Sequence, residues 1–309
     1  MSILIDGSTR ILVQGITGGQ AQVDTERALR YGARIVAGVT PGRGGENVHG
    51  VPVFDAVAHA TSAHVVDAAI IYTPPLAVRD ATLESIESAV PLIVVTAEGV
   101  PVHDIAFIVA AAKDAGIRLV GCNTNGIISP GKSRIGGIGG VDPSEMYVPG
   151  RIGICSRSGG MSAELARTLK MHGLGVSTCV SMGGDRITGT RMASFAMLFE
   201  QDPETDAIVV FGEPGTSNEQ ELAAAIAAKN ITKPVVALVA GAFQESYPAG
   251  QTFGHAAALV RSDADSASAK KVALRNAGAI VAETLDDIPR LLRNALAQTV
   301  RTTAHERTV

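Results

Sequence analysis

The sequence has no tryptophan and only 4% aromatic residues, which argues against large aromatic ligand cages. It also lacks a surplus of positive charge: 26 Lys and Arg against 30 Asp and Glu give a formal net charge of −4. The charges are spread along the chain, and no basic stripe of the kind that neutralises a phosphate backbone is present. Nucleic-acid binding is therefore excluded as an expectation. Cysteine is scarce as well. Cys122, Cys155 and Cys179 form no Cys-x-x-Cys pair and lie in or beside apolar runs, so they read as buried thiols in a reducing compartment. No apolar run approaches the roughly 20 residues that a bilayer span requires, and the start MSILIDGSTRILVQG has no basic segment leading into a long apolar one. A cytoplasmic location and no membrane partner are expected. What the chain has in quantity is glycine, 34 in 309 residues, which points to tight turns and close backbone approaches.

Short apolar runs recur along the chain, at 10–14, 34–39, 68–72, 92–96 and 118–121, each ending at or near Gly, Pro, Thr or Asn. Between them, 20–31, 76–89 and 104–115 carry helical apolar spacing. This alternation predicts a parallel sheet covered on both faces. Residues 129–150, rich in Gly and Pro, read as a connector. A second series of apolar runs follows at 151–156, 176–182, 207–212, 235–241 and 279–282. The expected architecture is α/β with two doubly wound domains, at 1–128 and 151–300, followed by a disordered tail at 301–309.

In the first domain the strand at 10–14 runs through Gly15-Ile16-Thr17-Gly18-Gly19-Gln20 into a helix, where a doubly wound sheet binds phosphate on backbone N–H groups. The spacing is looser than G-x-G-x-x-G, and a tight turn with no ligand would look the same. Where an NAD site has an acid, the second strand ends in Thr40-Pro41-Gly42-Arg43. A guanidinium there suits a ribose that bears a phosphate, as in coenzyme A or NADP. A solvated loop arginine is the plain alternative.

In the second domain, Cys155-Ser156-Arg157-Ser158-Gly159-Gly160-Met161-Ser162 follows a strand and opens a helix, offering hydroxyl and N–H groups to an anion. It is not a G-x-S-x-G elbow, so a serine nucleophile is rejected. Glu213 follows the strand at 207–212, at the sheet edge where ligands gather. His255 lies in Phe253-Gly254-His255-Ala256-Ala257, among small neighbours that leave an imidazole open to a bulky partner. A carboxylate at Glu213 could fix the tautomer of such an imidazole and leave its other nitrogen nucleophilic. The six other histidines read as surface residues.

Taken together, these segments resemble the α subunit of succinyl-CoA synthetase and its relatives, the ADP- or GDP-forming acid–thiol ligases. The likeness runs through Gln14-Gly15-Ile16-Thr17-Gly18, Gly38 to Gly45, Gly50-Val51-Pro52-Val53-Phe54, Glu98-Gly99, Ser156-Arg157-Ser158-Gly159, Gly183-Gly184-Asp185, Gly212-Glu213 and Gly254-His255-Ala256. The resemblance implies a Rossmann-like first domain that binds coenzyme A through Thr17, Gly18, Gly19, Gln20, Pro41, Arg43, Thr96, Ala97 and Glu98. It implies a flavodoxin-like ligase domain in which His255 carries a phosphoryl group, Glu213 holds its imidazole, and the helix start at Ser158, Gly159 and Gly160 cradles the phosphoryl group. It further implies a separate β subunit with an ATP-grasp domain that binds ATP or GTP with Mg2+. No metal ligands are expected in this chain.

The chain departs from the succinate enzymes after Ser156-Arg157-Ser158-Gly159, where Ala163 replaces a substrate-side tyrosine. The stretch Ser156–Ser162, with Gly139-Gly140 and Phe253-Gly254-His255, looks more like ATP-citrate lyase. Loss of a phenol makes room for a bulkier acid, so malate–CoA and citrate-type synthetases stand beside the succinate enzyme. Gly121-Cys122-Asn123-Thr124-Asn125-Gly126 and Pro214-Gly215-Thr216 also depart from the family pattern. An NADP-dependent oxidoreductase and a coenzyme A-binding paralogue without turnover remain as readings from other classes.

Overall fold

The computed structural model describes residues 2–306 apart from 249, 252 and 256. Thr252 and Ala256 of the histidine segment, and residues 307–309, therefore lie outside the described residues.

The chain begins with β1 (Arg10–Gln14), α1 (Gly19–Tyr31), β2 (Arg34–Val39), β3 (Asn47–Val48), β4 (Val51–Phe54), α2 (Val57–Ala63), β5 (Ala68–Ile71), α3 (Val78–Glu87), β6 (Leu92–Val95), α4 (Val102–Asp114) and β7 (Arg118–Gly121). These strands form one sheet in the order β3-β4-β2-β1-β5-β6-β7. All neighbours are parallel except the β3–β4 edge pair. Without β3, the order reads 3-2-1-4-5-6, that of a dinucleotide-binding fold. β5 (AAII) and β6 (LIVV) are buried throughout because helices cover both faces.

The second sheet comprises β8 (Gly126–Ser129), β9 (Ser133–Ile135), β10 (Pro149–Ser156), β11 (Val176–Ser181), β12 (Ala207–Gly212), β13 (Val235–Val239) and β14 (Ile280–Ala282). Between and after them lie α5 (Gly159–Met171), α6 (Met192–Gln201), α7 (Asn218–Ala227), α8 (Ala267–Ala277) and α9 (Asp287–Glu306). Its order is β14-β13-β12-β10-β11-β8-β9. The five parallel strands read 2-1-3-4-5, the flavodoxin-like order, with the switch point between β10 and β12.

Two expectations are corrected. β8 pairs antiparallel with β11, and β9 with β8, so 126–135 belong to the second sheet. The second sheet thus takes its first strand at Gly126, and the connector expected at 129–150 holds β9 and the start of β10. The strands were hidden because Gly-Ile-Ile-Ser and Ser-Arg-Ile are too short for a period to show, and Pro and Gly surround them. The tail also differs, because α9 continues through Glu306, which makes 301–306 helical rather than disordered. No Gly or Pro follows Pro289 to stop it.

One apolar cluster runs through both sheets, joining Ile11, Val13 and Val94 to Ile127, Ile135, Val180, Phe195 and Val210. Among the described residues, no helix is long and apolar enough to cross a membrane. The three cysteines are free and buried.

Candidate active site

Each switch point places a helix start and a loop at the carboxyl edge of its sheet. In the first, Gly15 (φ 75°) takes a left-handed turn against the Tyr72 backbone, where a Cβ would come within 3.3 Å. Gly18 then caps α1 without any side-chain hydrogen bond, and the first turn carries no acid. A Cβ on Gly19 would meet nothing within 4 Å. Free N–H groups, open approach and no opposing carboxylate fit a diphosphate. Thr17 Oγ1 hydrogen-bonds Thr40 Oγ1 at 3.2 Å, which ties this turn to the loop of Pro41 and Arg43. Gln20 is exposed and its amide donates to Asp24 at 3.0 Å. Arg43 lies on an exposed loop with its guanidinium on both Glu46 oxygens, so a ligand phosphate must take it from that partner. At the end of β6, Thr96 donates to Ile71 O at 2.9 Å, Ala97 is half-buried and Glu98 is exposed.

At the second switch point Ser158 caps α5, its hydroxyl accepting from Met161 N–H, and Gly159, Gly160 and Ala163 follow on the first turns. Gly160 is exposed and Ala163 half-buried. Glu213, just past β12, is 9% exposed. Its carboxylate accepts from His255 Nδ1 with both oxygens, at 3.0 and 2.9 Å. The imidazole lies over Gly184, where a Cβ would come within 2.7 Å of the ring. Among the described residues Nε2 has no hydrogen-bond partner, so the carboxylate holds one nitrogen and leaves the other free. The Glu213 hydrogen bond raises the imidazole above its ordinary value. Burial opposes this, and Glu98 adds to the rise while Arg157 counters it.

Glu98 comes from the first sheet, yet its charge reaches both His255 and Asp185 of the second. Asn123 makes the same connection through bonds: its N–H donates to Ala97 O at 3.0 Å and its amide to Asp185 Oδ1 at 3.3 Å. The structure thus brings the 96–98 segment to the imidazole, while Thr17 to Gln20 and Arg43 belong to the first sheet's own edge.

Sequence reasoning missed four residues here. Arg157 is fully buried, with Nη1 on Thr216 Oγ1 at 2.8 Å and Nη2 on Asp185 O at 3.2 Å. It stands in the quoted motif Ser156-Arg157-Ser158-Gly159, where its residue type alone gave it no role. Asp185 is 9% exposed. Glu219 accepts from Glu213 N–H at 3.1 Å, and Lys270 donates to Glu213 O at 2.8 Å and to Glu219. This fully buried ion pair grips the Glu213 backbone from both sides.

The sequence matches the family model described as CoA binding domain over residues 6–99 and that described as CoA-ligase over residues 155–280. The succinate–CoA ligase [ADP-forming] subunit alpha 2 of Archaeoglobus fulgidus is 42% identical over 296 residues, which cover 96% of this chain and 100% of that protein. The chain belongs to the succinate–CoA ligase α-subunit family. Another relative is the malate–CoA ligase subunit alpha of Methylorubrum extorquens, 40% identical over 286 residues, or 91% of this chain and 94% of that one. Among solved structures, ATP citrate lyase from Methanothrix soehngenii in complex with citrate and coenzyme A matches with a TM-score of 0.88 at 28% identity. The match covers 97% of this chain and 52% of that one, so the chain spans about half of that enzyme. As a member of this ligase family, the chain combines a CoA-binding Rossmann-like domain with a CoA-ligase domain.

Proposed function

We propose that this chain is the α subunit of an ADP- or GDP-forming acyl-CoA synthetase, joining coenzyme A to a small di- or tricarboxylic acid through phospho-His255 and an acyl phosphate. The observation that carries the reading is the Glu213–His255 pair. A carboxylate on Nδ1 at 2.9 Å fixes the tautomer and leaves Nε2 to accept a phosphoryl group. Fully buried Arg157 supplies positive charge behind the site, and the N–H groups of Gly159 and Gly160 at the start of α5, beside the Ser158 cap, offer a cradle for the dianion.

The phosphoryl group comes from ATP or GTP with Mg2+ on a partner β subunit with an ATP-grasp domain. Nε2 attacks the terminal phosphorus, holds the phosphoryl group, and passes it to the substrate carboxylate, restoring the neutral imidazole. Coenzyme A supplies the thiol that displaces phosphate. Thr17 to Gln20, Pro41 and Arg43 hold its phosphates, and Thr96, Ala97 and Glu98 line the path from there to the imidazole. Positioning and charge neutralisation are the catalytic terms throughout.

The acid is succinate or a bulkier relative. Half-buried Ala163, one turn into α5, leaves room beside the cradle and offers no donor, which favours malate or citrate as the second reading.

With its β subunit and Mg-ATP the chain is expected to acquire an acid-labile phosphate, absent from His255→Ala. Label that persists in the variant rejects the reading. In a panel of acids, full thioester formation with succinate and none with malate or citrate would reject the role given to Ala163.

A further inference from the structure

We propose that Asp185 is the base that takes the thiol proton when coenzyme A attacks the acyl phosphate, an inference that rests on the ligase reading above. Asp185 follows Gly184, the glycine beneath the His255 ring. It is 9% exposed, and its Oδ2 is buried with no hydrogen-bond partner. The rest of the residue is fixed: Oδ1 accepts from the Asn123 amide at 3.3 Å, and the main-chain carbonyl accepts from Arg157 Nη2 at 3.2 Å. Asn123 N–H in turn donates to Ala97 O at 3.0 Å. The carboxyl is thereby held between the 96–98 segment and the imidazole. The thiol and the acyl carbon must meet between those two places.

A buried oxygen without a partner costs stability, and such groups persist where chemistry uses them. The charged and titratable groups facing Asp185 are Glu98 from the segment after β6, Arg157 from the end of β10, His255, and the Cys122 thiol beside Asn123. Burial holds the Asp185 carboxyl above its ordinary value, and the Asn123 hydrogen bond partly offsets this. Its conjugate base is stronger than an ordinary solvated carboxylate.

The step balances without a further reactant. The S–H proton passes to Asp185 Oδ2, and the sulfur pair forms the C–S bond. The C–O bond to phosphate breaks with its electron pair, inorganic phosphate leaves, and Asp185 later returns the proton to water.

The test uses the full αβ complex and separates two half-reactions: labelling of His255 by Mg-ATP, and thioester formation from the labelled complex with acid and coenzyme A. In Asp185→Asn, thioester formation is expected to fall about 100-fold more than labelling, with loss of the acid limb of its pH profile. Asn123→Gly keeps the positive-φ backbone (φ 59°) and removes the amide from Oδ1. Asp185 then rises further, so the acid limb is expected to move to higher pH. Calorimetry in buffers of different ionisation enthalpy adds a binding readout: coenzyme A should bind wild type with proton uptake, because the thiol further dehydrates the carboxylate, and bind Asp185→Asn with none. Equal loss of both half-reactions, retained thioester formation, or loss of the acid limb in Glu98→Gln but not in Asp185→Asn overturns the proposal. If wild type takes no label on His255, the ligase reading fails first and this inference fails with it.

Discussion

A histidine that carries a phosphoryl group must be neutral at one ring nitrogen and held at the other. At His255 one contact sets both conditions, and it also sets how the site responds to pH. The Glu213 hydrogen bond raises the imidazole, so the neutral nucleophile appears at a higher pH than for an ordinary histidine. In Glu213→Gln the acid limb of His255 labelling is expected to move to lower pH, while the plateau rate falls roughly 10²- to 10⁴-fold as the tautomer is lost. Stability follows the same linkage. A raised folded-state value contributes stability that is fully present below the unfolded value of about 6.5 and is lost as pH rises through the folded one. Urea midpoints of wild type and Glu213→Gln should therefore differ more at about pH 6 than at about pH 9. A constant difference would mean that the Glu213 contact does not raise the imidazole. His255 and Glu213 were legible in the sequence because short glycine-flanked motifs carry them. Asp185 lay inside a matching motif, but a motif does not reveal an unpartnered oxygen.

Among the elements, strands with an apolar run on both faces were readable: β1, β2, β7 and β12 have the bounds that their sequences predict. The β3–β4 edge pair and β8–β9 were not, since each strand is only two to four residues long and lies among Gly and Pro that read as turns. The least legible device is the grip of α7 and α8 on the Glu213 loop. Glu219 and Lys270 stand 51 residues apart and act through the Glu213 backbone, so no local pattern marks them. The side chains of both are fully enclosed, and burial draws the Lys270 ammonium below its ordinary value. Removing one partner leaves a buried charge, and Lys270→Met is expected to cost about 3–5 kcal/mol. Urea unfolding measures that loss. Labelling of His255 should decline in the same protein at temperatures where it is still folded, because Glu213 loses its Lys270 anchor and Glu219 loses the cation that holds it. Loss of stability with full labelling would separate the ion pair from the site.

Across the whole molecule, two sheets with two switch points suggest two independent folding units, but the packing argues otherwise. Ile127 and Ile135 of β8 and β9 sit in one apolar cluster with Ile11 and Val13 of the first sheet and Val180 and Val210 of the second. Beside it, fully buried Arg134 of β9 donates to Gly140 O at 2.8 Å and feels the charge of Asp24 on α1, which also pairs with Arg27 at 4.0 Å and accepts from Gln20 and Tyr72. Neither sheet can lose its fold without exposing this core and stranding these charges. Calorimetry should therefore show one transition, with the van't Hoff and calorimetric enthalpies in agreement, where separable domains would give two. Arg134→Met should lower that single transition as a whole, since buried Asp24 then faces an apolar neighbour and keeps only Arg27, 4.0 Å away, as its cation. Two resolved transitions in wild type would show that the sheets unfold apart. The site would then depend on docking two mobile units, and the placement of Glu98 and Ala97 against Asp185 and His255 would no longer be built into a single rigid core.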